Sequence, residues 1–292
     1  MIAIAIFTVF IGNIYLSNKN SKPQATSNYT VASRTIDFSG IVKQVYPAQG
    51  FVFPVKWNNV AKQLVDNSAL NLSFVAGSLQ NANEPLTNEE LKILNGTSSG
   101  NITVNSSSAM FTLYVLWALG INNKNKIINT GAIMSHGNPY QLASTGGYEP
   151  LGNLSLGNLS IINLNASEQS MVESIASNVY RPCCDNPAMF PDCNHGAAQL
   201  GLIEIMASQG RNETQIYEAL KEFNSFYYTR QYLALAIFFN TTQGKAWNQV
   251  PPSQILGYNF SSYSGSSAVY QYLLSSNTLS GIATGSGSAC GV

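Results

Sequence analysis

The spacing of apolar positions changes along the chain, and it predicts a mainly helical protein. Residues 1–16, MIAIAIFTVFIGNIYL, are almost continuously apolar and give way to the polar stretch SNKNSKPQATSN. A terminal apolar run ahead of a polar linker predicts a signal or membrane-anchor segment. At sixteen residues it is slightly short of the ~20 needed to cross a bilayer, and it lacks a basic lead-in and a clear small-x-small cleavage site. The expected organisation is an anchor at 1–16 with the membrane as partner, a linker at 17–28, and one mainly helical extracytoplasmic domain over 29–292.

Between 29 and 55, YTVASRTIDF and GFVFPV gather β-branched and aromatic residues between Gly and Pro, which predicts minor β structure near the N-terminus. Helical signals then dominate. WNNVAKQLVDN opens at Trp57, and Thr87 with Glu90 makes a capping box. SSAMFTLYVLWALG is apolar on nearly every face for ten residues up to Gly120. That is too short to span a bilayer, so it predicts a buried central helix ending at Gly120. A Gly-rich loop follows over 131–160, with LGNLS-LGNLS as a local duplication, since solenoids need longer units and more of them.

Helical patterning resumes at Ser167, runs from about His195 to Gly210, and again from Asn212 to about Asn240. Gly210 suits the residue after a helix and Asn212 the next N-cap, so these last two segments predict a helical hairpin. A final helix, SSAVYQYLLSS, precedes a flexible Gly/Ser tail at 280–292. Leu113, Val115, Leu116, Leu119, Leu200, Ile203, Ile205, Leu233, Leu235 and Ile237 are expected to share one helical core, because three apolar segments have nowhere else to bury themselves.

Composition narrows the setting. Only 10% of residues are charged, the formal net charge is zero, and there is no Lys/Arg-rich run, so nucleic acid is excluded as a partner. Asn-x-Ser/Thr triplets at Asn28, Asn71, Asn95, Asn101, Asn105, Asn153, Asn158, Asn165, Asn212, Asn240 and Asn259 fit an exported, glycosylated chain, although a sequence rich in these residues produces many by chance.

The chemistry concentrates in RPCCDNPAMFPDCNHG, where Cys183, Cys184, Cys193 and His195 follow one another in a Pro-rich loop before a helix. Three thiols and an imidazole are the donor set of a soft-metal site, which makes zinc or copper binding the leading expectation. His136, Met134 and Cys290 are further candidate ligands or partners. Two alternatives stand beside it. Four cysteines outside the cytoplasm can be structural disulfides of a cell-surface protein. A helix starting near Asn194 would instead aim its positive end at Cys193 and lower a thiol pKa, and Arg181 stands two residues from Cys183; both support thiol-disulfide or sulfur exchange, with Cys290 on the tail as exchange partner. Asp185, Asp192, Glu204 and Glu213 are candidate acids, with helix capping accounting for Asp192. The aromatic run FNSFYYTRQY at 223–232 reads as core packing. There is no GxSxG, Walker, HExxH or CxxCH motif, so no nucleotide or c-type haem is expected and no catalytic residue is assigned.

Overall fold

A computed structural model of the protein describes residues 36–135 and 155–278. The anchor at 1–16, the linker, His136, the first of the paired LGNLS segments apart from Ser155, and the tail with Cys290 lie outside the described residues. Among the described residues the architecture is mainly helical, with 13 α-helices and one two-stranded antiparallel sheet. No described helix is long and apolar enough to cross a membrane.

The first helix, α1 (Phe38–Val45), lies where the sequence predicts strand. Asp37 accepts the Gly40 N–H at 2.9 Å and nucleates it, while Ile41 and Val45 recur four apart on the buried face. The GFVFPV stretch does form β1 (Phe51–Lys56), whose Phe53 and Val55 alternate inward, and it pairs with β2 (Asn101–Val104) in the register Phe51↔Val104. Between them lie α2 (Val60–Asp66), α3 (Leu72–Asn81) and α4 (Asn88–Leu94), the last opened by the Thr87–Glu90 capping box.

The centre of the fold is the crossing of α5 (Ala109–Asn122) with α8 (Asn194–Ser208), the most extensive helix pair in the protein. Gly120 is not the end of α5. It is a notch in its interior, since a Cβ at Gly120 would lie 1.9 Å from the Ala197 carbonyl oxygen, and one at Gly201 would lie 2.3 Å from that of Leu116. The two glycines let the backbones touch, and this seats the N-terminus of α8 deep in the protein. Helices α6 (Lys126–Asn129) and α7 (Ala166–Asn178) complete this half.

The chain then turns at Gly210, whose φ is +73°, and Asn212 caps α9 (Glu213–Tyr227). The segment predicted as one helix to about Asn240 is two: it breaks at Tyr228 (φ −124°, ψ 45°), and α10 (Thr229–Gln243) begins there. The break has a packing cause. Ile216, Leu220 and Phe223 of α9 face a first hydrophobic cluster with α5 and α8, whereas Leu235, Ile237 and Phe239 of α10 face a second with α1 and α13 (Tyr263–Ser275). The single helical core expected from sequence is therefore two, with Leu233, Leu235 and Ile237 in or against the second. Short helices α11 (Pro252–Leu256) and α12 (Tyr258–Ser261) lead into α13.

Several asparagines in Asn-x-Ser/Thr triplets have folding roles: the side chains of Asn71, Asn165 and Asn212 cap α3, α7 and α9.

Candidate functional site

Residues 179–193 pass between the two hydrophobic clusters. Ala188 is buried in the first, and Cys183 packs against the second. The loop is organised by Arg181, which is fully buried. A guanidinium has five N–H groups, and all five have acceptors here. Nε donates to Cys193 Sγ at 3.1 Å, Nη1 donates to the carbonyls of Asn186 and Pro187 at 3.0 and 3.1 Å, and Nη2 donates to Phe190 O at 3.2 Å and to Asp192 Oδ1. Asp192 is held in turn by Asn186 Nδ2 at 2.7 Å. Asp192 therefore does not cap α8. It balances Arg181, and burial still raises its pKa in spite of that cation.

The cap of α8 is Cys193 itself, which accepts the Gly196 N–H at 3.4 Å on its sulfur. Cys193 is buried, 7% exposed, with Cys183 Sγ 3.8 Å away. Hydrogen bonds from the Cys183 and Cys184 thiols hold its pKa well below the ordinary thiol value, with Arg181 adding to the effect against the opposing penalty of burial. Cys193 is thus the thiol of the group most favoured to ionise. Cys183 is pushed strongly upward by its hydrogen bonds with Cys184 and Cys193 and by burial, and its sulfur accepts the Tyr228 hydroxyl at 3.1 Å. At Cys184 the hydrogen bond with Cys183 pulls downward but is outweighed by that with Cys193 and by burial, leaving it at about 11. Its Sγ lies 3.9 Å from the Asn186 carbonyl, so the adjacent side chains diverge in part. Cys183, Cys184 and Cys193 are unbonded to one another.

His195 is 5% exposed. Nδ1 pairs with Asn194 Oδ1 at 2.8 Å, the ring packs between Tyr227 and Tyr228 with centroids 5.2 and 5.0 Å away, and Nε2 has no partner among the described residues. Burial pushes its pKa down to about 4, so it is neutral.

The structure brings together Cys183, Cys184 and Cys193, and places His195 at the same helix start. Met134 lies 40% exposed on the turn Ala132–Ser135 beside α6. Asp185 is engaged with Ser264, Glu204 is buried against Asn123 and Asn125, and Glu213 lies in the first turn of α9. Among the described residues no group of three or more His, Cys, Asp or Glu side chains is arranged to hold a metal ion. Sequence reading missed Tyr227 and Tyr228 as site residues, since both lie in an aromatic run whose pattern is that of a packed helix.

Comparison with protein-family models, with curated proteins and with solved structures finds no match for this chain.

Proposed function

We propose that Cys183 and Cys193 are a thiol–disulfide exchange pair that accepts electrons from substrate thiols. The observation carrying this reading is the placement of the half-buried Cys183 sulfur 3.8 Å from a buried Cys193 sulfur that already receives Arg181 Nε and the Gly196 N–H. Closing a disulfide requires the sulfurs to approach to about 2 Å, a side-chain adjustment.

In the oxidised form a substrate thiolate attacks the sulfur of Cys183, the less buried residue of the pair. The Cys183–Cys193 bond breaks, and its electron pair leaves on Cys193, where Arg181 and the helix start receive the charge. A well-stabilised thiolate is the better leaving group. A second substrate thiolate then attacks the substrate sulfur of the mixed disulfide and releases Cys183, which takes a proton. Two substrate thiols become one disulfide, two electrons pass to the pair, and of the two protons lost one ends on Cys183 and one in solvent. Reoxidation uses an external disulfide. An extracytoplasmic position, expected from residues 1–16, is the compartment where such donors work.

One distance favours the soft-metal reading: 3.8 Å is also the edge of a tetrahedral thiolate shell with bonds of about 2.3 Å. Against it, Arg181 already supplies a positive partner to Cys193.

Equilibrating the protein with reduced and oxidised glutathione, then counting labelled thiols by mass, separates the two. Reversible loss of two thiols that Cys184→Ser retains and Cys183→Ser or Cys193→Ser abolishes is the expected result. Stoichiometric zinc or copper in the purified protein, lost on Cys193→Ser, would overturn it.

A further inference from the structure

In the exchange cycle the two sulfurs of the pair leave in different steps, and each has its own donor. Cys193 takes up negative charge when the pair is opened, and it receives Arg181 Nε and the Gly196 N–H. Cys183 takes it up when the mixed disulfide is resolved, and it receives the Tyr228 hydroxyl at 3.1 Å. The second departure is the harder one. The neighbouring thiols and burial push the Cys183 pKa upward, and a thiolate of high pKa leaves slowly.

Tyr228 is fixed before any bond changes. It sits at the break between α9 and α10, where its N–H donates to the Asn224 carbonyl at 2.8 Å and its carbonyl accepts the Tyr232 N–H at 3.0 Å. The residue is buried in the second hydrophobic cluster, with its ring centroid 5.0 Å from that of His195. Backbone and ring together leave the hydroxyl little freedom beyond rotation of its hydrogen.

A neutral thiol or disulfide sulfur accepts hydrogen bonds weakly, so a buried hydroxyl aimed at one is poorly satisfied. A thiolate accepts strongly. The bond therefore tightens as charge gathers on Cys183, and an oriented donor in a dry setting acts on the transition state more than on the resting state. Burial also holds the Tyr228 pKa well above its ordinary 10, so the hydroxyl keeps its proton throughout.

We infer that Tyr228 is a catalytic residue of the release step, donating a hydrogen bond to the Cys183 sulfur as it leaves the mixed disulfide. This rests on the exchange reading. The second substrate thiolate bonds to the substrate sulfur, and the bond from that sulfur to Cys183 breaks with its electron pair on Cys183. The proton that Cys183 then takes is one of the two lost by the substrate thiols, delivered through solvent, and the Tyr228 O–H stays intact. In the first step Cys183 is the sulfur attacked and the charge leaves on Cys193, so the hydroxyl has little to stabilise there.

The test mixes the oxidised protein with excess 2-mercaptoethanol, quenches with acid at intervals and follows the species by mass. Loss of the disulfide form gives the attack rate, and decay of the 2-mercaptoethanol adduct gives the release rate. In Tyr228→Phe, which keeps the ring, release should slow about tenfold while attack is unchanged, so that the adduct accumulates. Tyr227→Phe removes a hydroxyl that donates to the Ala109 carbonyl at 2.7 Å, and should leave both rates as they are. 3-Fluorotyrosine at position 228 makes the hydroxyl a stronger donor without removing it and should speed release about twofold, which decides the matter if Tyr228→Phe does not fold. Unchanged release in a folded Tyr228 variant, or equal slowing of both steps, overturns the role of Tyr228 while leaving exchange standing. Failure of the probe to reduce the native oxidised pair overturns the exchange reading, and this one with it.

Discussion

Gly196 lies directly beneath the guanidinium of Arg181, so that a Cβ at this position would come within 2.5 Å of Cζ and 2.6 Å of Nη2. The absence of a side chain on the first turn of α8 lets a fully buried cation reach Cys193. Gly196→Ala should displace Arg181 and leave buried donors and carbonyls unpaired. The expected cost is about 2–4 kcal/mol in urea unfolding, beyond what helix propensity would suggest. The Cys193 thiolate should also lose its support, so its pKa, followed by ultraviolet thiolate absorbance, should rise. An unchanged titration would separate Arg181 from the thiolate.

The pH response of His195 has a definite sign. Its folded pKa of about 4 lies below the ordinary 6.5, so protons favour the unfolded chain. Stability should be full above pH 6.5 and decline as pH falls from 6.5 toward 4, by about 3 kcal/mol in total. His195→Phe keeps a ring between Tyr227 and Tyr228 and should flatten that decline. Parallel pH curves for the two proteins would refute the assignment.

Glu204 acts in the opposite sense. It is fully buried and accepts from Asn123 Nδ2 at 3.2 Å and Asn125 Nδ2 at 2.6 Å, and burial lifts its pKa well above the ordinary 4.5 in spite of those bonds. The folded protein therefore holds this proton more tightly than the unfolded chain does. The associated stability is present below pH 4.5 and is lost as pH rises through the folded value. Glu204→Gln should remove this dependence, making the variant relatively more stable at neutral and alkaline pH. Unfolding midpoints across pH measure it, and a variant curve parallel to the parent would exclude Glu204 as the titrating group.

At the crossing of α5 and α8, Gly120→Ala forces a methyl group against the Ala197 carbonyl. A loss of about 3 kcal/mol or more is expected, since backbone cannot yield as a side-chain tip can. Differential scanning calorimetry reads it as a lowered melting temperature, and a neutral result would mean that the helices are not in contact there.

Elements announced by local chemistry were legible in the sequence. The Thr87–Glu90 box, the Gly210 turn, the Asn212 cap and a Cys193 at a helix start all depend on neighbours within a few residues. What escaped depends on distant neighbours. α9 and α10 read as one helix because nothing local at Tyr228 breaks the pattern; the break follows from facing two clusters. Gly120 reads as a helix end, although its reason is Ala197, across the crossing. α1 reads as strand because its β-branched and aromatic neighbours outweigh Asp37. At the site, the three cysteines and His195 were visible together, whereas the Tyr228 hydroxyl on Cys183 spans 45 residues of chain, and Arg181 serves Cys193 rather than its near neighbour.

The two clusters meet along a polar seam, where Gln199 donates to Asn224 Oδ1 at 2.6 Å, Asn224 donates to the Tyr232 hydroxyl at 2.8 Å, and that hydroxyl lies 2.7 Å from Ser261 Oγ. Cys193 begins a helix of the first cluster, and Cys183 packs on the second. A bond between their sulfurs would thus be a bolt across the seam, and its opening would let one half of the molecule loosen without the other. Electron transfer at the loop would be felt as a change in how many cooperative units the protein melts in.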